Sequence, residues 1–147
     1  MAIPLAGRIL AVDWGERRIG LALSDETQTI ASPLGTLIRR PGKRFRMPEF
    51  LAYVATHRPV GLVVGLPLTP EGADGPSTIA ARELAAQLGA RTYLPVELVD
   101  ERMTTARAHA AIREQEGSAR GRREDVDALA ATILLQHFLE IRRHRRS

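Results

Sequence analysis

The chain has 147 residues, 44% of them apolar, a net charge of +4 and no cysteine. That is about one domain with enough apolar surface for a real core, and the lack of cysteine excludes disulfides and thiolate zinc sites. No apolar run reaches the roughly 18 residues of a membrane span, and Met1 to Gly7 shows no secretory pattern, so the chain reads as cytoplasmic with no membrane partner.

The first elements are short and apolar. Arg8 to Asp13 (RILAVD) predicts a buried strand ending in an acid. Arg18 to Ser24 (RIGLALS) predicts a second, reached through a tight turn at Trp14-Gly15-Glu16-Arg17. Thr29 to Ile38 completes an antiparallel meander, and residues 39–46, with Pro41 and Gly42, make a basic loop. Pro48 to His57 predicts a helix, with Phe50, Leu51 and Val54 on one face.

Val60 to Leu66 (VGLVVGL) is wholly apolar, as a central parallel strand is. Residues 67–76 form a loop rich in Gly and Pro, and Ser77 caps a helix that runs to Leu88 and stops at Gly89. Tyr93 to Val99 is a fifth strand, and Thr104 to Gln115 a helix capped by Thr104 or Thr105. A basic loop leads to a long helix from about Asp125 to Arg142. The order β-β-β-α-β-α-β-α-α predicts an α/β fold, a mixed sheet of five strands with helices on both faces. It forms a single domain over residues 1–147, with a basic tail from about 142. Ligands of such sheets bind at the carboxyl ends of the strands.

The charge is uneven. Arg39, Arg40, Lys43, Arg44 and Arg46 form one basic run, Arg120, Arg122 and Arg123 a second, and Arg142, Arg143, Arg145 and Arg146 a third. No acid interrupts any of them, and nearly all are arginine, whose planar fork matches phosphate. Such runs suit a nucleic-acid backbone, and they also simply solubilise loops and tails.

Acids stand where apolar elements would not place them: Asp13 at the end of one strand, Asp100 and Glu101 at the end of another, and Asp127 in the first turn of the last helix. Ala130, Ala131, Leu134 and Phe138 share the Asp127 face at helical spacing, so this acid lies on the side that packs against the sheet. Unpaired buried carboxylates are costly, and clustered ones repel unless a cation joins them. Oxygen ligands without cysteine favour Mg²⁺ or Mn²⁺. Each acid also has a structural reading. Asp13 could bond turn amides, Asp127 could favour the helix dipole, and Glu101 could pair with Arg102 or Arg17. Arg17, Arg18 and Arg102 flank the acids and either clamp phosphate or balance charge. Thr104 and Thr105 open a helix whose amides could take a phosphate oxygen. Gly65, Gly72 and Gly75 flank the 67–76 loop and allow a close backbone approach, or simply make turns.

Four segments resemble the YqgF family, also called RuvX: AVDWGERRIGLALSD (11–25), VVGLPLTPEGADGP (63–76), VDERMTTARAHAAI (99–112) and EDVDALAATILLQHFL (124–139). The resemblance spans almost the whole chain, with Arg17 where lysine is common and Met103 where leucine is. It implies an RNase H-like fold and a divalent-metal-dependent nuclease that acts in 5′-end maturation of pre-16S rRNA, on branched DNA junctions, or on both. It implies that Asp13, Glu101 and Asp127 are catalytic and hold two Mg²⁺ or Mn²⁺ ions. The nucleic-acid contacts are then Arg17, Arg18, Arg39, Arg40, Lys43, Arg44, Arg102, Thr104, Thr105, Arg122 and Arg123. Junction resolution would call for a symmetric homodimer. Two rival readings are a nucleic-acid-binding ribosome-maturation accessory with little catalysis and a phosphate-binding fold of the actin and sugar-kinase type. The latter proteins resemble two such domains, whereas this chain has one Asp-x-Gly strand.

Overall fold

The strands are β1 (Ile9–Asp13), β2 (Arg18–Ser24), β3 (Ala31–Ile38), β4 (Gly61–Leu66) and β5 (Val96–Asp100), and the helices α1 (Met47–His57), α2 (Pro76–Thr92) and α3 (Arg123–Arg146). They come from a computed structural model that describes residues 2–15, 17–39, 44–104 and 123–146, with backbone alone for 103, 104, 123–127 and 146. The strands form one mixed sheet in the order β3-β2-β1-β4-β5. β1 and β2 pair antiparallel, with Asp13 opposite Gly20, and β2 and β3 continue the meander with a bulge at Leu21/Ala22. β4 joins β1 in parallel, and β5 joins β4 in parallel.

The apolar runs are explained by burial on both faces. Leu10, Val12, Leu62 and Val64 meet Phe50 of α1 and Leu84 and Leu88 of α2 on one side. Ile9, Ala11 and Val63 meet Ala131, Leu134, Leu135 and Phe138 of α3 on the other. Phe50 is completely buried, and burying such a side chain contributes about 1.5–3 kcal/mol. On α3, Gln136 fixes the start of β3: its Oε1 accepts Ala31 N–H at 2.9 Å and its Nε2 donates to Thr29 O at 3.1 Å.

Several boundaries differ from the sequence expectation. β3 begins at Ala31 rather than Thr29 because Asp25 captures the N–H groups of Thr29 at 2.7 Å and Ile30 at 2.9 Å, which closes a turn. The cap of α2 is Gly75, not Ser77, with Pro76 in the first turn, where its missing N–H costs nothing. α2 runs through Gly89 to Thr92, and Tyr93 (φ 60°) takes the left-handed cap position, its N–H bonded to Gly89 O at 2.9 Å. Tyr93 therefore ends a helix, and β5 starts only at Val96. The basic residues from Arg142 to Arg146 continue α3 as helix instead of forming a tail, and Arg142 Nη2 donates to Ile3 O at 3.1 Å. Glu101–Thr104 form a 3₁₀ turn, while the rest of the helix expected over Thr104 to Gln115 lies outside the described residues.

Candidate active site

Strand parity sorts the acids. Ile9 and Ala11 face α3, so Asp13, two residues further along β1, shares that face. Val99 also faces α3, which puts Asp100 on the opposite face and separates it from Glu101 at the turn that follows. Asp13 and Glu101 leave strands that are not neighbours, since β4 runs between β1 and β5. They meet nonetheless: the two carboxyl groups lie close enough for each to shift the other's titration.

The meeting depends on Gly65. A Cβ at that position would overlap Glu101 Oε1 and come within 3.0 Å of Leu134 Cδ2. The Glu101 side chain therefore lies across the bare backbone of β4, under α3. The sequence allows Gly65 the approach of a ligand or a turn; the structure gives the space to the Glu101 carboxyl. A glycine inside an otherwise apolar, fully buried strand is the signal for such an approach.

Burial pushes the pKa of Asp13 up, offset in part by the neighbouring Glu101 carboxyl. Burial also pushes Glu101 up, reinforced by the Asp13 carboxyl and by the charges of Asp13 and Asp100. Two carboxyls this close do not both ionise without a compensating cation, so the pair holds a proton. Two adjacent oxygen donors, one laid in a cradle that a Cβ would fill, fit a hard divalent cation such as Mg²⁺ or Mn²⁺. Asp127 lies in the first turns of α3, one turn before Ala131 and two before Leu134 on the same helical face, and α3 packs against the Glu101–Thr104 turn. Its backbone is placed on this side of the sheet, and its side chain is not described.

The basic candidates divide. Arg17 is exposed and Arg18 half-buried. Arg39 lies over the Trp14 ring, 4.6 Å from its centroid, and its N–H bonds Arg17 O at 2.6 Å. The start of the basic run is thereby set beside the residue after Asp13, a link that spacing alone did not reveal. Arg44 is exposed. Arg46 pairs with Glu49 at 3.2 Å and bonds Ile38 O. Arg102 forks onto Asp100, with Nη2–Oδ2 at 2.7 Å. Thr104 ends the 3₁₀ turn and Arg123 begins α3. Arg40, Lys43, Thr105 and Arg122 lie outside the described residues. No described helix is long and apolar enough to cross a membrane.

Residues 7–141 match the family model RuvX, described as Holliday junction resolvase. A candidate pre-16S rRNA nuclease of Koribacter versatilis is 46% identical over 136 residues, 92% of this chain and 88% of its own. One from Roseiflexus sp. (strain RS-1) is 39% identical over 137 residues, 93% and 96% of the two chains. Among solved structures, Thermus thermophilus RuvC in complex with a Holliday junction substrate superposes with a TM-score of 0.58 at 17% identity, over 92% of this chain and 95% of its own. The yeast mitochondrial Holliday junction resolvase gives a TM-score of 0.58 at 11% identity, over 94% and 80%. At those identities the likeness is one of fold, and the fold is the RNase H-like one of the resolvases.

Proposed function

The chain belongs to the RuvX family of Holliday junction resolvases, and we propose that it is a divalent-metal-dependent nuclease that hydrolyses phosphodiester bonds at the 5′ end of pre-16S rRNA. The observation that carries this is the Asp13–Glu101 carboxyl pair, held across Gly65 at the carboxyl ends of β1 and β5. The substrate follows the naming of relatives that cover nearly the whole chain.

Asp13 and Glu101 would hold Mg²⁺ or Mn²⁺, with Asp127 as a third carboxylate from α3. Bound there, a pair of such ions supplies a water of lowered pKa and stabilises charge on the leaving oxygen. The chain's own part is to orient and to exclude. The Asp13 and Glu101 oxygens must give up their shared proton to act as ligands. Leu134 and the buried strand ends shield one side of the pair from water. Arg17, Arg18, Arg39 and Arg44 offer guanidinium groups for the phosphates on either side of the scissile bond.

The test is a cleavage panel with a precursor rRNA end, single-stranded RNA and a four-way DNA junction, each titrated with Mg²⁺ and Mn²⁺, for wild type and Asp13→Asn. Cutting of the precursor end that needs metal and is lost in Asp13→Asn is expected. Cleavage of the junction alone would move the substrate to branched DNA. Salt-sensitive binding with no cleavage of any substrate would leave a nucleic-acid-binding accessory.

A further inference from the structure

Arg102 follows Glu101 directly and belongs to a different network. Its Nε donates to Asp100 Oδ1 and Oδ2, each at 3.1 Å, and its Nη2 to Oδ2 at 2.7 Å. Asp100 Oδ1 also accepts the Arg102 backbone N–H at 2.9 Å. The third nitrogen, Nη1, donates a long bond of 3.4 Å to the carbonyl of Pro70. It stands 3.1 Å from the place a Cβ would take at Gly72, whose φ of +84° already disfavours any side chain.

The guanidinium is thus seated on the tip of the 67–75 loop, in room that only glycine leaves. The loop is otherwise closed on itself. Thr69 N–H bonds Ala73 O at 2.9 Å, Gly72 N–H bonds Thr69 O at 2.8 Å, and Ala73 N–H bonds Thr69 Oγ1 at 3.1 Å. Asp74 anchors the loop to α2 through Arg82 at 2.9 Å. Arg102 adds a link from this loop, which leaves β4, to the turn that leaves β5 and carries Glu101. The Asp100–Arg102 pair is partly exposed, and such pairs contribute little to stability. Its fork fixes direction, which makes it suited to holding a position.

We propose that Arg102 is a positioning residue. Clamped by Asp100, it holds the 67–75 loop at a set distance from the Glu101 turn, and the loop forms the wall against which a nucleic-acid strand is presented to the acid pair. The consequence for substrate rests on the nuclease reading; the coupling of Asp100, Arg102 and Gly72 does not.

The experiment compares Asp100→Asn, Arg102→Ala, Arg102→Lys, Gly72→Ala and the double variant Asp100→Asn/Arg102→Ala with wild type, after thermal melts show that each is folded. Amide exchange at Thr69, Gly72 and Ala73 reads the loop without any need for activity. Each Asp100 or Arg102 variant is expected to speed that exchange by about tenfold, with the double variant no worse than the singles, because one link is broken once. With the rRNA end as substrate, KM is expected to rise about tenfold in all five variants, while the salt dependence of binding stays as in wild type. Unchanged exchange in Asp100→Asn and Arg102→Ala overturns the proposal. So does a different pattern, in which Arg102→Ala lowers the salt slope by about one while Asp100→Asn and Gly72→Ala bind normally, since Arg102 would then grip phosphate directly. A wild type that cuts no substrate sinks the nuclease reading, and the exchange data still decide the link.

Discussion

Glu101 reaches Asp13 by crossing the backbone of β4 at Gly65, so two acids from non-adjacent strands come together as one coupled pair. That contact sets acid chemistry against stability. A carboxyl whose pKa is raised on folding binds protons more tightly in the folded state. Its contribution is therefore favourable at low pH and declines as pH rises above the ordinary carboxylate range.

The metal-free protein should accordingly lose stability as pH rises from about 4.5 towards about 10 through this pair, and Asp13→Asn should make that slope shallower, since burial alone still raises Glu101. At neutral pH the Asn variant should melt higher than metal-free wild type, by roughly 2–4 °C for each kcal/mol recovered, while its cleavage is abolished. Saturating Mn²⁺ should raise the wild-type melting temperature and leave that of the variant nearly unmoved. Melting curves at several pH values, with and without metal, check all three. Equal slopes in the two proteins would show that the pair carries no strain.

Gly65→Ala tests the crossing itself. The new Cβ would overlap Glu101 Oε1 and crowd Leu134 Cδ2 at 3.0 Å. Overpacking of this kind costs about 1–3 kcal/mol, so the variant should fold with a lowered melting temperature. Cleavage should fall by about 100-fold, the effect of displacing a reacting group by about an ångström. A variant that cuts at the wild-type rate would mean that Glu101 works from another position.

How far the sequence went is clearest at these residues. Asp13 stood out because an acid ended an apolar strand, and β1, β2 and β4 were legible because burial on both faces writes itself as an unbroken apolar run. The residue pattern alone leaves open which of Asp100 and Glu101 joins Asp13, because that turns on strand parity and on the space above Gly65, both tertiary facts; only the family resemblance names Glu101. Tyr93 reads as the start of a strand, and the structure instead makes it the left-handed cap that ends α2. Arg102 reads from the sequence as a partner for Glu101, a phosphate clamp or a local balance of charge, and the structure shows it forked onto Asp100 beside Gly72.

Asp25 carries a second, opposite pH signature. Its pKa is lowered to about 2, first by the Ile30 N–H and then by the Thr27 hydroxyl, with the Thr29 N–H also contributing. A pKa lowered on folding adds stability that is present above the unfolded value of 3.8 and is lost as pH falls through about 2. Acid titration of stability should show this loss between about pH 4 and pH 2, and Asp25→Asn should not show it. The group is only half-buried, so the effect is small and shrinks with added salt. Its structural consequence is specific: without the Asp25 bonds, the Thr29 and Ile30 amides should exchange faster, at the point where β3 begins.

Trp14 gives a direct optical view of the site. It is the chain's single tryptophan, it follows Asp13, it packs against the core on the α1 and α2 side, and it lies under the Arg39 guanidinium at 4.6 Å. Its emission should therefore change when nucleic acid binds, and change again in Arg39→Ala. If Arg39 meets a phosphate of the bound strand, Arg39→Ala should weaken binding about equally for all sequences and lower the salt slope by about one. Arg39→Lys should recover the slope, because the charge remains, but not the wild-type emission, because a lysine does not stack as a planar guanidinium does. Titrations of each variant at several salt concentrations, followed by fluorescence, separate the two contributions. An unchanged slope in Arg39→Ala would confine Arg39 to holding Trp14 and with it the turn after Asp13.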